Sequence, residues 1–312
     1  MVYTSIPESE VNDRLKAEFT RQTGMEVDML VIPSNGTVAS RIRAEKNRPR
    51  ADIYAEAPID IMQSMAKDGL LEAYKAKAES PEFLQKGYAD PNGFWHGWFA
   101  LTTAIFWNTN SFKTDPALKD VKPPATWDGM LNPAYKGKIV LPNPQTTSIG
   151  FVLLSTQIFR SGEDKAWAYI RKLNGNVFQY TPSGVATVTL LEQGEGAVGA
   201  YWLADVLNSK LVRKQPIDFV VPPDNAVTVW AAGIVKGGPN PEGARRYIDF
   251  LESDFAQEVD AKYGFRTPLD AGVAPPESAP PLVDVKTVKY DLDWATQNLA
   301  RLRKQWARET GQ

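Results

Sequence analysis

The chain has 312 residues, with 35 Lys+Arg against 37 Asp+Glu, a formal net charge of -2, and 43% hydrophobic and 11% aromatic residues. That length suits two domains, the composition is that of a globular protein, and no basic excess marks nucleic acid or anionic membrane as a partner. The absence of cysteine removes disulfides, thiolate metal sites, Fe–S clusters and cysteine nucleophiles, and no apolar run approaches the ~18 residues of a membrane span.

Residues 2–5 read as a short strand and 8–23 as a helix, with Val11, Leu15 and Phe19 at four-residue spacing and Gly24 as its stop. Residues 26–32 alternate like a strand, 33–37 form a turn able to cap a helix over 38–47, and 52–55 read as a buried strand. Pro58 opens another helix at its first turn. This β-α-β-α-β-α order is the signature of a parallel sheet with helices on both faces. An apolar stretch over 95–108 precedes Pro/Lys/Asp-rich punctuation over 113–127, as expected where a chain changes domain. A second α/β set follows, with strands over 138–141, 177–180 and 197–201 and helices over 148–160, 163–173 and 185–193, the last capped by Ser183. Residues 218–221 and 227–235 read as strands, and 241–251, 254–262 and 292–309 as helices. The Pro-rich segment 275–281 is a stiff connection. No secretory leader precedes the strand at Val2, so the chain is either cytosolic or numbered from the mature body.

The single histidine, His96, limits the chemistry. Zinc sites built on several imidazoles are excluded, and a Ser–His–Asp relay would have to pass through this residue. His96 lies in Phe94-Trp95-His96-Gly97-Trp98 and no G-x-S-x-G elbow occurs, so it reads as a packed or surface residue. Gly194-Glu195-Gly196-Ala197-Val198-Gly199 matches G-x-G-x-x-G but follows a helix and precedes a strand, the reverse of a dinucleotide site, so Gly194 reads as a helix stop. Asn35-Gly36-Thr37 matches a glycosylation sequon, which a tight turn explains equally well.

Three hydroxyl- and glycine-rich clusters enter helices at the carboxyl ends of strands: Ser34-Asn35-Gly36-Thr37, Thr146-Thr147-Ser148 and Thr181-Pro182-Ser183-Gly184. Each can be an N-cap alone. Helix N-termini also hold anions through unpaired N–H groups, at the place where open α/β sheets bind ligands. A second pattern pairs aromatics with acids: Tyr54 and Glu56 at one strand end, and Tyr201, Trp202 and Asp205 at another. An aromatic wall with a carboxylate suits a ligand ammonium group. Trp95 and Trp202 are candidate ligand walls, whereas Trp127 and Trp167 read as packing on amphipathic helices.

The phrases Val2-Tyr3-Thr4-Ser5, Ala51-Asp52-Ile53-Tyr54, the stretch 101–109, Trp127-Asp128-Gly129-Met130, Tyr135-Lys136-Gly137-Lys138-Ile139 and Pro241-Glu242-Gly243-Ala244 carry a resemblance. Together they resemble bacterial solute-binding proteins of ABC importers, in the group of ferric-iron, sugar-phosphate and 2-aminoethylphosphonate binders, over nearly the whole chain. The resemblance implies an α/β, two-lobe type II periplasmic-binding-protein fold. Each lobe is a mixed sheet flanked by helices, and two crossover hinge segments near 99–103 and 221–227 join them. Lobe 1 is then 1–102 with 223–312, and lobe 2 is 103–222.

Ferric members of that group hold iron with two consecutive tyrosines, a first-loop histidine and a glutamate after the third strand. Here Ala200-Tyr201 leaves one phenol, Ile6 or Pro7 stands at the histidine position and Glu56 is shifted by one place, a poor cage for Fe³⁺. The phosphonate- and phosphate-binding relatives show a hydroxyl-rich loop after a Pro-Asn-Pro strand end and a Tyr-Thr-x-Ser-Gly loop. Pro142-Asn143-Pro144-Gln145-Thr146-Thr147-Ser148 and Tyr180-Thr181-Pro182-Ser183-Gly184 are similar to both, with Ile149 where a glycine is expected.

The expectation is a periplasmic, monomeric receptor whose lobes close on a small anionic solute, such as 2-aminoethylphosphonate, and present it to a membrane permease. It needs no cofactor or metal and performs no catalysis. Thr4, Ser5, Ser34, Asn35, Gly36, Thr37, Thr146, Thr147, Ser148, Ser183 and Gly184 would hold the anion. Glu56 or Asp205, with Tyr201 and Trp202, would meet the other end. A ferric receptor and an enzyme on the same scaffold are the alternatives.

Overall fold

The computed structural model describes residues 1–6, 9–32, 34–77 and 81–312. Glu8, expected to begin the first helix, Pro33 of the capping turn and Pro7 of the first loop lie outside the described residues. Two compact units divide the chain. The first is Met1–Leu101 with Thr228–Glu277, and the second is Thr102–Val227 with Ser278–Gln312. The chain therefore changes unit three times, where two crossovers were expected, and residues 278–312 belong with the second unit rather than the first.

In chain order the first unit opens with β1 (Val2–Thr4), α1 (Glu10–Thr23), β2 (Met29–Val31), α2 (Asn35–Ala44), β3 (Ile53–Pro58), α3 (Ile59–Lys67), β4 (Leu71–Glu72) and α4 (Pro81–Gln85). The long β5 (His96–Asn108) then carries the chain into the second unit. There follow α5 (Ser111–Thr114), β6 (Ile139–Pro142), α6 (Ser148–Ser161), α7 (Glu163–Asn174), β7 (Val177–Thr181), α8 (Gly184–Glu192), β8 (Val198–Trp202), α9 (Leu203–Leu207) and β9 (Ile217–Val220). The chain returns along β10 (Val227–Val235) to α10 (Pro241–Leu251), α11 (Asp254–Val259) and β11 (Thr267–Pro268), and ends in the second unit with α12 (Leu292–Thr310).

In the first unit β1 lies between β2 and β3, all parallel, with Thr4 opposite Val31 and Tyr3 opposite Tyr54. The carboxyl ends of the three strands therefore share one edge. β10 runs antiparallel to β3, and β11 antiparallel to β5. Helix α1 forms because Val11, Leu15 and Phe19 make one buried stripe, and Gly24 ends it at φ 72°, which glycine adopts without a Cβ clash. Phe19 meets the edges of Tyr247 and Phe250 on α10, at ring centroid distances of 5.1 and 5.5 Å. Burying side chains such as Leu15 contributes about 1.5–3 kcal/mol each.

In the second unit β6 lies between β7 and β8, again parallel, with Pro142 opposite Thr181. β8 continues antiparallel onto β5, from Thr103 opposite Trp202 to Trp107 opposite Val198. Helix α12 packs on α6 and α7, where Arg301 Nη1 reaches Glu163 Oε1 at 2.6 Å and Trp306 meets the edge of Tyr180 at 4.9 Å. These contacts fix residues 278–312 in this unit. Trp167 is buried on α7 as expected, but Trp127 precedes a 3₁₀ turn (Asp128–Leu131) instead of lying on an amphipathic helix. Residues 260–262, expected as the end of a helix, lie instead in a π-helical turn over 260–264 after α11.

Candidate functional site

The carboxyl ends of β6, β7 and β8 gather three of the expected loops at one edge of the second unit's sheet. Thr146 Oγ1 donates to Pro182 O at 2.9 Å and so ties the loop before α6 to the loop before α8. Thr147 caps α6 by accepting from Gly150 N at 3.0 Å, and its hydroxyl donates to Asn143 O at 2.7 Å. It is buried and committed to the fold. Thr146 and Ser148 are exposed.

Ser183 differs from Thr147. It occupies the N-cap position of α8, but its side chain makes no capping bond and is exposed, so the expected cap at Ser183 is not formed. The first N–H groups of α8 therefore keep their hydrogen-bonding capacity. Gly184 follows, and a Cβ there would stand 2.6 Å from Tyr201 Oη. Only glycine lets the Tyr201 phenol lie against the start of α8. Tyr201 and Trp202 end β8 and are buried, and Asp205 lies half-buried on α9. Burial, with the nearby Asp205 charge, raises the Tyr201 pKa, so the phenol holds its proton at neutral pH.

In the first unit, Ser34 caps α2 by accepting from Thr37 N at 3.1 Å, and its Oγ lies 3.1 Å from Thr37 Oγ1. Ser34, Gly36 and Thr37 are exposed, and Ser5 is half-buried. Tyr54 Oη lies 2.9 Å from both the carbonyl and the side-chain oxygen of Asn35, so the Asn35 amide is held by β3 and the sequon is part of a capped turn.

Two expected ligand residues are engaged elsewhere. Glu56 lies inside β3, not at its end, and is 1% exposed. Its Oε1 accepts from Arg266 Nη1 at 2.9 Å and its Oε2 accepts from the Thr4 hydroxyl. Arg266 Nη1 also donates to Asp260 Oδ1, and its guanidinium lies 4.5 Å over the Phe99 ring. Burial raises the Asp260 pKa to about 7, with Arg266 opposing and Glu56 adding to the rise. Asp260 Oδ2 has no hydrogen-bonding partner among the described residues, which suits a protonated oxygen. Thr4 and Glu56 thus belong to a buried charge network rather than to an open wall. Arg266 and Asp260 were missed because nothing in Asp260-Ala261-Lys262-Tyr263-Gly264-Phe265-Arg266 announces a partner 210 positions away.

His96 is buried, with Nδ1 3.5 Å from Glu252 Oε1, in keeping with a packed residue. Among the described residues no group of three His, Cys, Asp or Glu side chains is placed to hold a metal ion. None of their helices is long and apolar enough to cross a membrane. The chemistry at the second unit's strand ends is hydroxyls, backbone amides, one neutral phenol and the nearby Asp205 carboxylate, a set suited to hydrogen-bonding a polar solute.

Residues 51–296 match the bacterial extracellular solute-binding proteins. The chain belongs to that family. This solute-binding protein is 24% identical to Iron uptake protein A1 of Synechocystis over 90% of its own length and 79% of that protein. It is 26% identical to a putative 2-aminoethylphosphonate-binding periplasmic protein of Salmonella paratyphi A, over 82% of its length and 73% of that protein. Among solved structures it is similar to the periplasmic binding protein AfuA from Actinobacillus pleuropneumoniae, with exogenous fructose-6-phosphate bound. The TM-score is 0.79 and the identity 25%, covering 99% of this chain and 98% of that one. The solute-binding protein has the type II periplasmic-binding-protein fold, as the resemblance implied.

Proposed function

We propose that this solute-binding protein is a periplasmic receptor of an ABC importer that captures a small organophosphonate or organophosphate and delivers it unchanged to the permease. The observation that carries the reading is the open N-terminus of α8. Ser183 leaves that helix uncapped, Gly184 admits the Tyr201 phenol beside it, and Thr146 joins the loop to a second helix start. Such a cradle neutralises an anion with backbone dipoles and hydroxyls. In this reading Ser148, Trp202 and Asp205 surround the same solute. On the first unit, Ser5, Ser34, Asn35, Gly36 and Thr37 are the candidates for anion contact, while Thr4 and Glu56 serve the fold. A 2-aminoethylphosphonate-binding relative and a sugar-phosphate-bound structural neighbour support the ligand class. Relatives named periplasmic support the compartment.

The alternative is ferric iron, favoured by the iron-uptake relative and the phenol at Tyr201. Against it stand the raised Tyr201 pKa and the engagement of Glu56 by Arg266. The test is titration calorimetry of the purified protein with 2-aminoethylphosphonate, fructose 6-phosphate, inorganic phosphate, spermidine and Fe³⁺. Binding of a phosphonate or phosphate ester, with no colour on adding Fe³⁺, is the expected result. Binding of spermidine or Fe³⁺ alone overturns the reading.

A further inference from the structure

Glu56 carries a backbone conformation unusual for its residue type. Its φ is 59°, in the left-handed region where glycine is the usual occupant. The pairing of β3 with β10 explains the position. Ala57 faces Ala231 and Tyr54 faces Gly233, so Ala55 and Glu56 together oppose the single residue Ala232. This is a β-bulge, the device by which a strand re-aims a side chain. A non-glycine residue persists there only where its surroundings hold it, and such strain concentrates at functional sites.

What holds it is the network of Arg266. One guanidinium nitrogen serves both Glu56 and Asp260, and the Glu56 carboxylate in turn takes the hydroxyl of Thr4, the last residue of β1. Thr4 Oγ1 also accepts from Ile6 N at 3.2 Å, which sets the chain beyond the strand. Arg266 follows Phe265, itself at φ 55°, and immediately precedes β11, which pairs with β5. Two uncommon backbone positions thus face each other through one cation.

We propose that Arg266 is a positioning residue for solute binding: by pairing with Glu56 it holds the β3 bulge. The proposal rests on the reading that the first unit's strand ends serve a solute. It assigns Arg266 no contact with that solute. A cation that acted on the ligand directly would be lost with any substitution, whereas a cation that acts through the bulge becomes dispensable once the bulge needs no holding.

The test uses three variants of the full chain: Arg266→Met, Glu56→Gly, and the two combined. Glycine adopts the bulge conformation without support. Arg266→Met is therefore expected to weaken binding of 2-aminoethylphosphonate by about tenfold or more. Glu56→Gly and the double variant are expected to stay within about threefold of the parent. Hydrogen exchange in the ligand-free protein gives a second readout. Amides at 53–58 and 231–233 should exchange faster in Arg266→Met and return to parental protection in the double variant.

Should Arg266→Met fail to fold, recovery of folding and of bulge protection in the double variant supports the inference. A double variant as weak or as unprotected as Arg266→Met overturns it. If the parent binds none of the probes, the ligand reading falls while the exchange data still decide the role of Arg266.

Discussion

Ser183→Asp separates binding from folding, because the two should move in opposite directions. Ser183 is exposed and makes no cap, so an aspartate there costs little desolvation and gains the cap bond that serine leaves unmade. A carboxylate cap on a helix N-terminus contributes about 0.5–1.5 kcal/mol, and in a unit of this size each kcal/mol raises Tm by about 2–4 °C. A solute anion on the same N–H groups would sit roughly 5 Å from the new carboxylate. At that separation repulsion is about 1 kcal/mol per charge pair in bulk water and about 3 kcal/mol at an effective dielectric near 20. A doubly charged phosphonate therefore loses at least about tenfold in affinity, and well over a hundredfold if the site excludes water. Urea melts and titration calorimetry with 2-aminoethylphosphonate measure the two effects. Unchanged affinity with raised stability would show that the start of α8 holds no anion. Lowered stability would show that Ser183 serves the fold in some other way.

Three further outcomes follow from particular contacts. Gly184→Ala places a methyl 2.6 Å from Tyr201 Oη and should destabilise by about 1–3 kcal/mol while weakening solute binding, read by urea melts and calorimetry; a neutral effect on both would show the phenol free to move. Asn225 is fully buried, and its Nδ2 donates to Thr103 O at 2.6 Å; Asn225→Ala strands the Thr103 groups and should cost about 2–4 kcal/mol in chemical denaturation. Asp260, with its pKa raised to about 7, keeps a proton in the native state that the unfolded chain releases near pH 4. Its contribution to stability is therefore full below pH 4 and lost as pH rises through 7. Asp260→Asn, which does not titrate, should gain stability relative to the parent between pH 5 and pH 8; a constant difference across that range would refute the raised pKa.

Much of the fold was legible in the sequence because it is written locally. The stripe Val11, Leu15 and Phe19, the glycine at 24, and the hydroxyl clusters before α2, α6 and α8 each act over a few residues. The hydroxyl cluster residues do lie at parallel strand ends, but exposure sorts them: Thr147 is consumed by capping while Ser148 and Ser183 remain open. Pairing across long separations was not legible. Nothing near Glu56 predicts Arg266, and nothing in the 278–312 segment predicts that Tyr290 reaches Ser155 (Oη to Oγ 2.6 Å) or that Trp306 reaches Tyr180. Glu56 looked like a ligand group because an acid near a strand end usually faces solvent, and the bulge that turns it inward depends on the register with β10.

The interleaving of the two units has a consequence for biogenesis. A nascent chain ending at residue 227 still lacks most of β10 beside β3, and Tyr247 and Phe250, which enclose Phe19. The other core waits longer still, for Trp306 on the last helix. Neither half can shut early, and no single cut separates two self-sufficient fragments. Such a chain completes neither unit until nearly all of it has emerged.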